Sequence, residues 1–288
     1  MEEAENRSRP ARVPSRSGSS ALASASVYPP NVRSRNPRLS DEDVRQVLEL
    51  ARKSDGVELK VTVPASDRDL AIRNLDLDPL QAQIRQVFFF DTPTLDLDAA
   101  GVVARARRVQ GKGGDTVVKL RPVRPDDLPS ELRASPDFVV EVDAMPTGYV
   151  CSASLKAAAD AGAIREAAFG RVSVRKLFSK RQRAFLEAHA PDGVAIDRLA
   201  VLGPIFVLKL KFAPQDLSRR LVAEFWLYPD GSRILELSTK CDSTDAFQVA
   251  AELRTFLSAR GVDVGGKQET KTKAALTYFS KQLRAAQG

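Results

Sequence analysis

The chain has 288 residues, 43% of them hydrophobic and 28% charged, with a formal net charge of +7. No apolar run approaches the roughly 20 residues a bilayer-spanning helix needs, which excludes membrane helices, and one histidine with two cysteines excludes a disulfide framework, a structural zinc quartet and a histidine-rich metal centre. Residues 1–39 hold seven arginines and three glutamates, so only +3 belongs to the rest, and the overall charge argues little for nucleic acid.

That first segment is rich in Ser, Arg and Pro and predicts a disordered tail, the one part of the chain whose charge would suit nucleic acid. It begins with Glu2, Glu3 and Glu5 and has no apolar stretch, so it resembles neither a secretory signal nor a transit peptide. The cytoplasm is the expected location. Residues 40–288 read as one domain, opening with a short helix in which Ser40 serves as cap and Val44, Val47, Leu48 and Ala51 share a face. Segments of period two follow at 57–63, 87–91, 102–109, 116–122, 138–145, 177–185, 194–199, 205–212, 222–228 and 233–240, separated by Gly, Pro and Asp turns. Further helices are expected at 66–75, at the Ala-rich stretch 152–168, at 243–260 and near 270–285.

In seven of these strands one face is apolar and the other ionic. Glu58 and Lys60 alternate with Val57, Leu59 and Val61; Arg105 and Arg107 with Ala104 and Ala106; Lys119 and Arg121 with Val118 and Leu120. Glu141 and Asp143, Lys209 and Lys211, Glu224, and Glu236 with Lys240 continue the series, and Arg181 with Arg183 shares the spacing. A single wet sheet face would explain one such strand. Wet faces usually mix the signs, however, because like charges opposite one another repel. Here basic and acidic pairs are segregated, which asks for an anion between the cations and a cation between the carboxylates. Phosphate and a hard metal ion answer that description, and carboxylates without His or Cys suit Mg²⁺ or Mn²⁺. A closed barrel of about eight strands would turn the ionic side inward and leave room for one small ligand. The expected fold is therefore α+β: eight or more antiparallel strands, closed into a barrel in preference to an open sheet with one charged concave face, and helices packed outside.

The chain resembles the CYTH superfamily, the triphosphate tunnel metalloenzymes, over roughly residues 40–285. "GVELK" (56–60) resembles the opening ExExK motif. "VFFFDTPTLDLDAAGVVARARRV" (87–109) is similar to the aromatic-Asp-Thr-Pro segment with its paired arginines, and "TVVKLRP" (116–122) to the next basic strand. "IDRLAVLGPIFVLKL" (196–210) and "KTKAAL" (271–276) resemble the Asp-containing strand with its Leu-Gly turn and the Lys-containing C-terminal helix. Gly56 stands where the first Glu of ExExK is expected, and Ser238 replaces an acid in "ELSTK".

The resemblance implies a closed eight-stranded antiparallel β-barrel, or tunnel, with helices packed outside, binding a triphosphate-containing small molecule together with Mg²⁺ or Mn²⁺. It implies phosphate contacts at Lys60, Arg105, Arg107, Lys119 and Arg121, with Lys271 or Lys273 closing one end, and the charge alternation adds Arg181, Arg183, Lys209, Lys211 and Lys240. Metal ligands are expected among Glu58, Glu141, Asp143, Glu224 and Glu236, with Glu141 or Asp143 also orienting the attacking water. The expected activity is metal-dependent hydrolysis of inorganic, thiamine or nucleoside triphosphate. A class IV-type adenylate cyclase and a tunnel that binds polyphosphate or nucleotide without turnover are the alternatives.

Overall fold

The structure is a computed structural model that describes residues 41–265, 268 and 270–285. The tail expected over 1–39 and the Ser40 cap lie outside the described residues. Nine strands form the barrel: β1 (Gly56–Val63), β2 (Gln83–Asp91), β3 (Val102–Val109), β4 (Gly114–Leu120), β5 (Phe138–Met145), β6 (Gly148–Ala159), β7 (Ala200–Phe212), β8 (Leu221–Leu227) and β9 (Arg233–Cys241). They close in the order β1-β5-β6-β4-β3-β2-β7-β8-β9, with β9 returning to β1. The helices are α1 (Asp41–Arg52), α2 (Arg68–Asn74), α3 (Asp96–Ala99), α4 (Ser130–Arg133), α5 (Ala161–Ala168), α6 (Lys180–Glu187), α7 (Ala246–Ser258) and α8 (Lys271–Ala285). Among the described residues no helix is long and apolar enough to cross a membrane.

The closed barrel is as expected, but it has nine strands instead of eight and is not wholly antiparallel. An odd ring cannot alternate direction all the way round. One neighbouring pair must run parallel, and that pair is β1 with β5.

The extra strand is β6, whose residues 152–159 were expected to be helical from their Ala and Ser content. Cys151, Ala153 and Leu155 point into the outer core while Ser152 and Ser154 take the inner parity, and the helix begins only at Ala161, after Asp160 caps the Ala163 amide. Two segments read as strands are not strands. Residues 177–185 leave a 3₁₀ turn, Val174–Leu177, and enter α6, and residues 194–199 contain the 3₁₀ turn Ile196–Arg198. The reason for the first lies in Ser179 and Gln182, which form a capping box: each side chain bonds the other's backbone N–H. Fully buried Gln182 then donates to the carbonyls of Thr116 and Leu155 at 3.0 and 3.1 Å, pinning α6 across β4 and β6.

The outer barrel face is apolar and lies under helices. Val57, Leu59, Phe88, Phe90, Val118, Val140, Phe225 and Leu237 join Ala71, Ile164, Phe185, Leu186, Leu253 and Phe256 in one cluster. A second, smaller cluster lies on the inner face: Val87, Phe89, Val103, Leu202, Ile205, Val207, Trp226 and Ile234 meet Ala275, Leu276 and Phe279 of α8. One part of the interior is thus oily and covered by a helix. Phe89 belongs to that interior, while its neighbours Phe88 and Phe90 belong to the outer core.

Gln182→Ala should lower stability by about 1–3 kcal/mol, because it removes two buried hydrogen bonds that join α6 to β4 and β6. Urea unfolding measures this, and an unchanged midpoint would contradict the anchoring role of Gln182.

Candidate functional site in the barrel lumen

Register decides which side chains share the lumen, because a one-residue slip would send each to the opposite face. Across β7, β8 and β9 the central row is Lys209, Glu224 and Glu236. One step toward α8 the row is Val207, Trp226 and Ile234, and one step the other way it is Lys211, Val222 and Ser238. The parallel pairing sets Glu58 opposite Asp143 and Gly56 opposite Glu141, while β9 sets Lys240 opposite Glu58. On the facing wall Val87, Arg107 and Asp115 form one row and Phe89, Arg105 and Val117 the next. Lys119 lies opposite Val103, so the β3–β4 hairpin offsets its basic residues instead of placing them face to face.

These groups gather into two lysine–carboxylate quartets. In the first, Lys60 Nζ lies 2.7 Å from Asp143 Oδ1 and 3.2 Å from Glu58 Oε2, and Lys119 Nζ lies 3.1 Å from Asp143 Oδ2. In the second, Lys271 Nζ lies 2.5 Å from Glu224 Oε2 and 2.6 Å from Glu236 Oε1, and Lys209 Nζ is 3.0 Å from Glu224 Oε1. Lys271 comes from the first turn of α8, and the Trp226 indole donates to Glu224 at 3.3 Å. Outside the quartets, Lys240 pairs with Glu141 and Arg107 with Asp115.

Burial alone would raise the carboxyl pKa values, but the lysines outweigh it. Asp143 is held well below its ordinary range by Lys119 and Lys60, Glu224 by Lys271 and Lys209, and Glu58, less strongly, chiefly by Lys60. Lys60 is raised despite burial because it serves two carboxylates, and Lys271 is raised for the same reason. Lys119 and Lys209 are lowered: desolvation and neighbouring cations outweigh the one carboxylate each contacts.

The arginine wall is different. Arg105 makes no ion pair or side-chain hydrogen bond among the described residues, and its Nε is buried without a partner. Among the described residues Arg85 donates only to Gln83. Desolvation lowers the pKa of both, and Arg107 lowers it further. Three guanidiniums therefore share one acid, Asp115, beside two quartets that are already neutral. The uncompensated positive charge of the lumen sits here.

The sequence expectations divide accordingly. Lys60, Arg105, Arg107, Lys119, Lys209, Lys271, Glu58, Glu141, Asp143, Glu224 and Glu236 all reach the lumen face. Lys240 and Lys211 are exposed at its edge. Arg121 follows β4, its backbone held by Gly101, where a Cβ would meet the Arg121 carbonyl at 2.5 Å, and its charge is felt by Lys119. Arg181 and Arg183 are corrected: they lie on α6 outside the barrel, Arg181 exposed and Arg183 donating to the Phe178 carbonyl at 2.8 Å. Arg85 and Asp115 are lumen residues that sequence reasoning missed. Arg85 has the parity of Val87 and Phe89, but those inner residues are apolar and disguise the alternation, and Asp115 was absorbed into the glycine turn.

The five acids expected to hold metal do not converge. Among the described residues no three metal-binding side chains form a group. Glu58 with Asp143 is one pair and Glu224 with Glu236 another, and a lysine ammonium bridges each. A divalent ion resident on protein ligands alone does not fit this donor set.

No family model and no curated protein matches the sequence. Solved structures do match in fold. An adenylyl cyclase-like protein of Hippeastrum, HpAC1, described as having a dominant triphosphatase activity, superposes with a TM-score of 0.56 at 18% identity, covering 76% of this chain and 94% of its own. An adenylate cyclase-like protein of Bacillus halodurans superposes at 0.53 and 12% identity, covering 76% and 96%. The chain has the barrel fold of these cyclase-like proteins.

Two outcomes check the quartets. Asp143→Asn leaves Lys60 and Lys119 without their shared counter-charge and should cost about 3–5 kcal/mol at neutral pH, read by urea unfolding. The depressed carboxyls contribute stability that is fully present above the ordinary values of 3.8 and 4.5 and is lost as pH falls through their lower folded values. The wild-type protein should therefore destabilise steeply below that range, and Asp143→Asn should show a shallower slope in pH-dependent melting. Parallel slopes would contradict the assignment.

Proposed function

We propose that the lumen binds a small triphosphate and that the protein hydrolyses its terminal anhydride bond, the substrate being the Mg²⁺ or Mn²⁺ complex of the triphosphate. The observation that carries this reading is Arg105: a guanidinium inside the barrel that makes no ion pair among the described residues, within the field of Arg85 and Arg107, of which only Arg107 is ion-paired, to Asp115. Planar guanidiniums bind phosphate oxygens through paired, charge-assisted hydrogen bonds, and removal from bulk water strengthens them. The dominant triphosphatase activity of the Hippeastrum protein supports hydrolysis ahead of cyclisation.

Phosphoryl transfer asks little covalent work of a protein; positioning and charge neutralisation do most of it. Water attacks the terminal phosphorus, the bridging P–O bond breaks, and the electron pair leaves on the diphosphate. Arg105, Arg107 and Arg85 neutralise the chain. Lys60, Lys119, Lys209 and Lys271 stand ready in the quartets to shift toward it. Glu141 is better placed than Asp143 to orient the water, because one edge lysine holds Glu141 whereas two lysines hold both oxygens of buried Asp143.

A second reading, binding without turnover, is favoured by Gly56 and Ser238, which stand where acids were expected. Purified protein given tripolyphosphate, ATP and thiamine triphosphate with Mg²⁺, Mn²⁺ or EDTA separates the possibilities. Phosphate release that EDTA stops supports the hydrolase. Cyclic nucleotide would indicate the cyclase, and tight binding without product the non-catalytic tunnel. Arg105→Gln should weaken tripolyphosphate binding by about tenfold or more, the worth of one charged hydrogen-bonding group. Unchanged affinity in calorimetry would place the anion elsewhere.

A further inference from the structure

We infer that Lys60 and Lys271 occupy the places of resident cations, so that the lumen binds its triphosphate without a divalent ion and a metal enters only on the phosphate chain. The inference rests on the reading of the lumen as a triphosphate site.

Geometry and charge both point this way. Each carboxylate pair has an ammonium between its two members, within 3.2 Å of both at Glu58 and Asp143 and within 2.6 Å of both at Glu224 and Glu236. Each quartet holds two acids and two lysines and is neutral. A dication added to either would leave a desolvated charge of +2 with no acid to meet it, since Glu141 and Asp115 have cationic partners of their own. Mg²⁺ normally keeps several waters and takes one or two carboxylates plus substrate phosphates. An incoming triphosphate carries enough negative charge to bring such an ion with it, and the same charge satisfies the arginines whether or not the ion is present. The lysines are held in place from two directions. Lys60 is set by the β1–β5 and β1–β9 pairings, and Lys271 by α8, whose Lys271 carbonyl accepts a hydrogen bond from the Tyr228 hydroxyl at 3.0 Å. The substitutions at Gly56 and Ser238 remove the further acids that a dication would need.

The test uses the full chain in two arms. In the first, Mn²⁺ alone is titrated and the free ion followed by electron paramagnetic resonance. No binding at millimolar ion supports the inference, and a bound ion that Glu58→Gln or Glu236→Gln releases overturns it. In the second, tripolyphosphate is titrated by calorimetry in EDTA and in Mn²⁺, with the fluorescence of Trp226, the only tryptophan, reporting lumen occupancy. Affinities that agree within about threefold, under 1 kcal/mol, support the inference, and binding seen only with metal overturns it. Should tripolyphosphate fail to bind under either condition, the triphosphate reading falls, while the Mn²⁺ arm still decides whether ammonium groups hold the cation places.

Discussion

Neutralising charge without water is the constraint on which the rest of this structure depends. Closing a sheet into a ring removes its edges, and it also surrounds every inward side chain with protein. An unpaired ion there loses several kcal/mol of solvation. The barrel offsets that loss by placing Glu58, Asp143, Glu224 and Glu236 against lysines in two quartets and Glu141 against Lys240, so that Glu58, Asp143 and Glu224 stay ionised despite burial. Such pairing is weak evidence for net stability, since oily residues of the same size could do as well. It is better understood as what allows a polar lumen to exist while the arginine wall remains uncompensated.

The ring's odd strand number feeds directly into this balance. Nine strands force one parallel pair, and the pair that results brings Glu58 and Lys60 of β1 alongside Asp143 of β5. Lys119 reaches the same carboxylate from β4, two strands further round. One quartet therefore ties together elements far apart in sequence and can form only once the barrel has closed. The other depends on α8: Lys271 sits in the first turn of that helix, where a cation opposes the helix dipole, and Glu224 with Glu236 supplies the negative charge that a helix N-terminus favours.

Much of this was legible in the sequence, and the reasons for the failures are specific. Period-two alternation located eight strands, seven of them by apolar outer residues alternating with charged inner ones and β2 by its aromatic run. It missed β6, whose outer Cys151 and Ala153 are small and whose inner Ser152 and Ser154 are weakly polar, so that composition outweighed pattern. It misassigned 177–185 because Arg181 and Arg183 imitate an ionic strand face; Ser179 and Gln182, three apart, were the contrary signal of a helix start. The site was legible as charges of opposite sign segregated by strand. Which charges neutralise each other was not, since that is fixed by shear and register around a closed ring: Lys60 could have faced phosphate as readily as Asp143. Arg85 was hidden by the oily lining at Val87 and Phe89.

That lining gives the lumen a direction. Along β7, β8 and β9 the inner face runs from Lys211 and Ser238 through the Lys209–Glu224–Glu236 row to Val207, Trp226 and Ile234, where Ala275, Leu276 and Phe279 of α8 cover it. A highly charged chain gains nothing from the oily end and would lose solvation there. It would therefore enter from the side where Lys211 and Lys240 are exposed and stop at the arginines and the quartets. The apolar end acts on the site without touching the ligand: by keeping water from the far side of Glu224 and Lys271 it lowers the local dielectric, which strengthens the ion pairs already present and the attraction of Arg105 for an anion alike. The same packing thus holds the ion pairs of the lumen together and, on the proposed reading, favours an anion at the arginine wall.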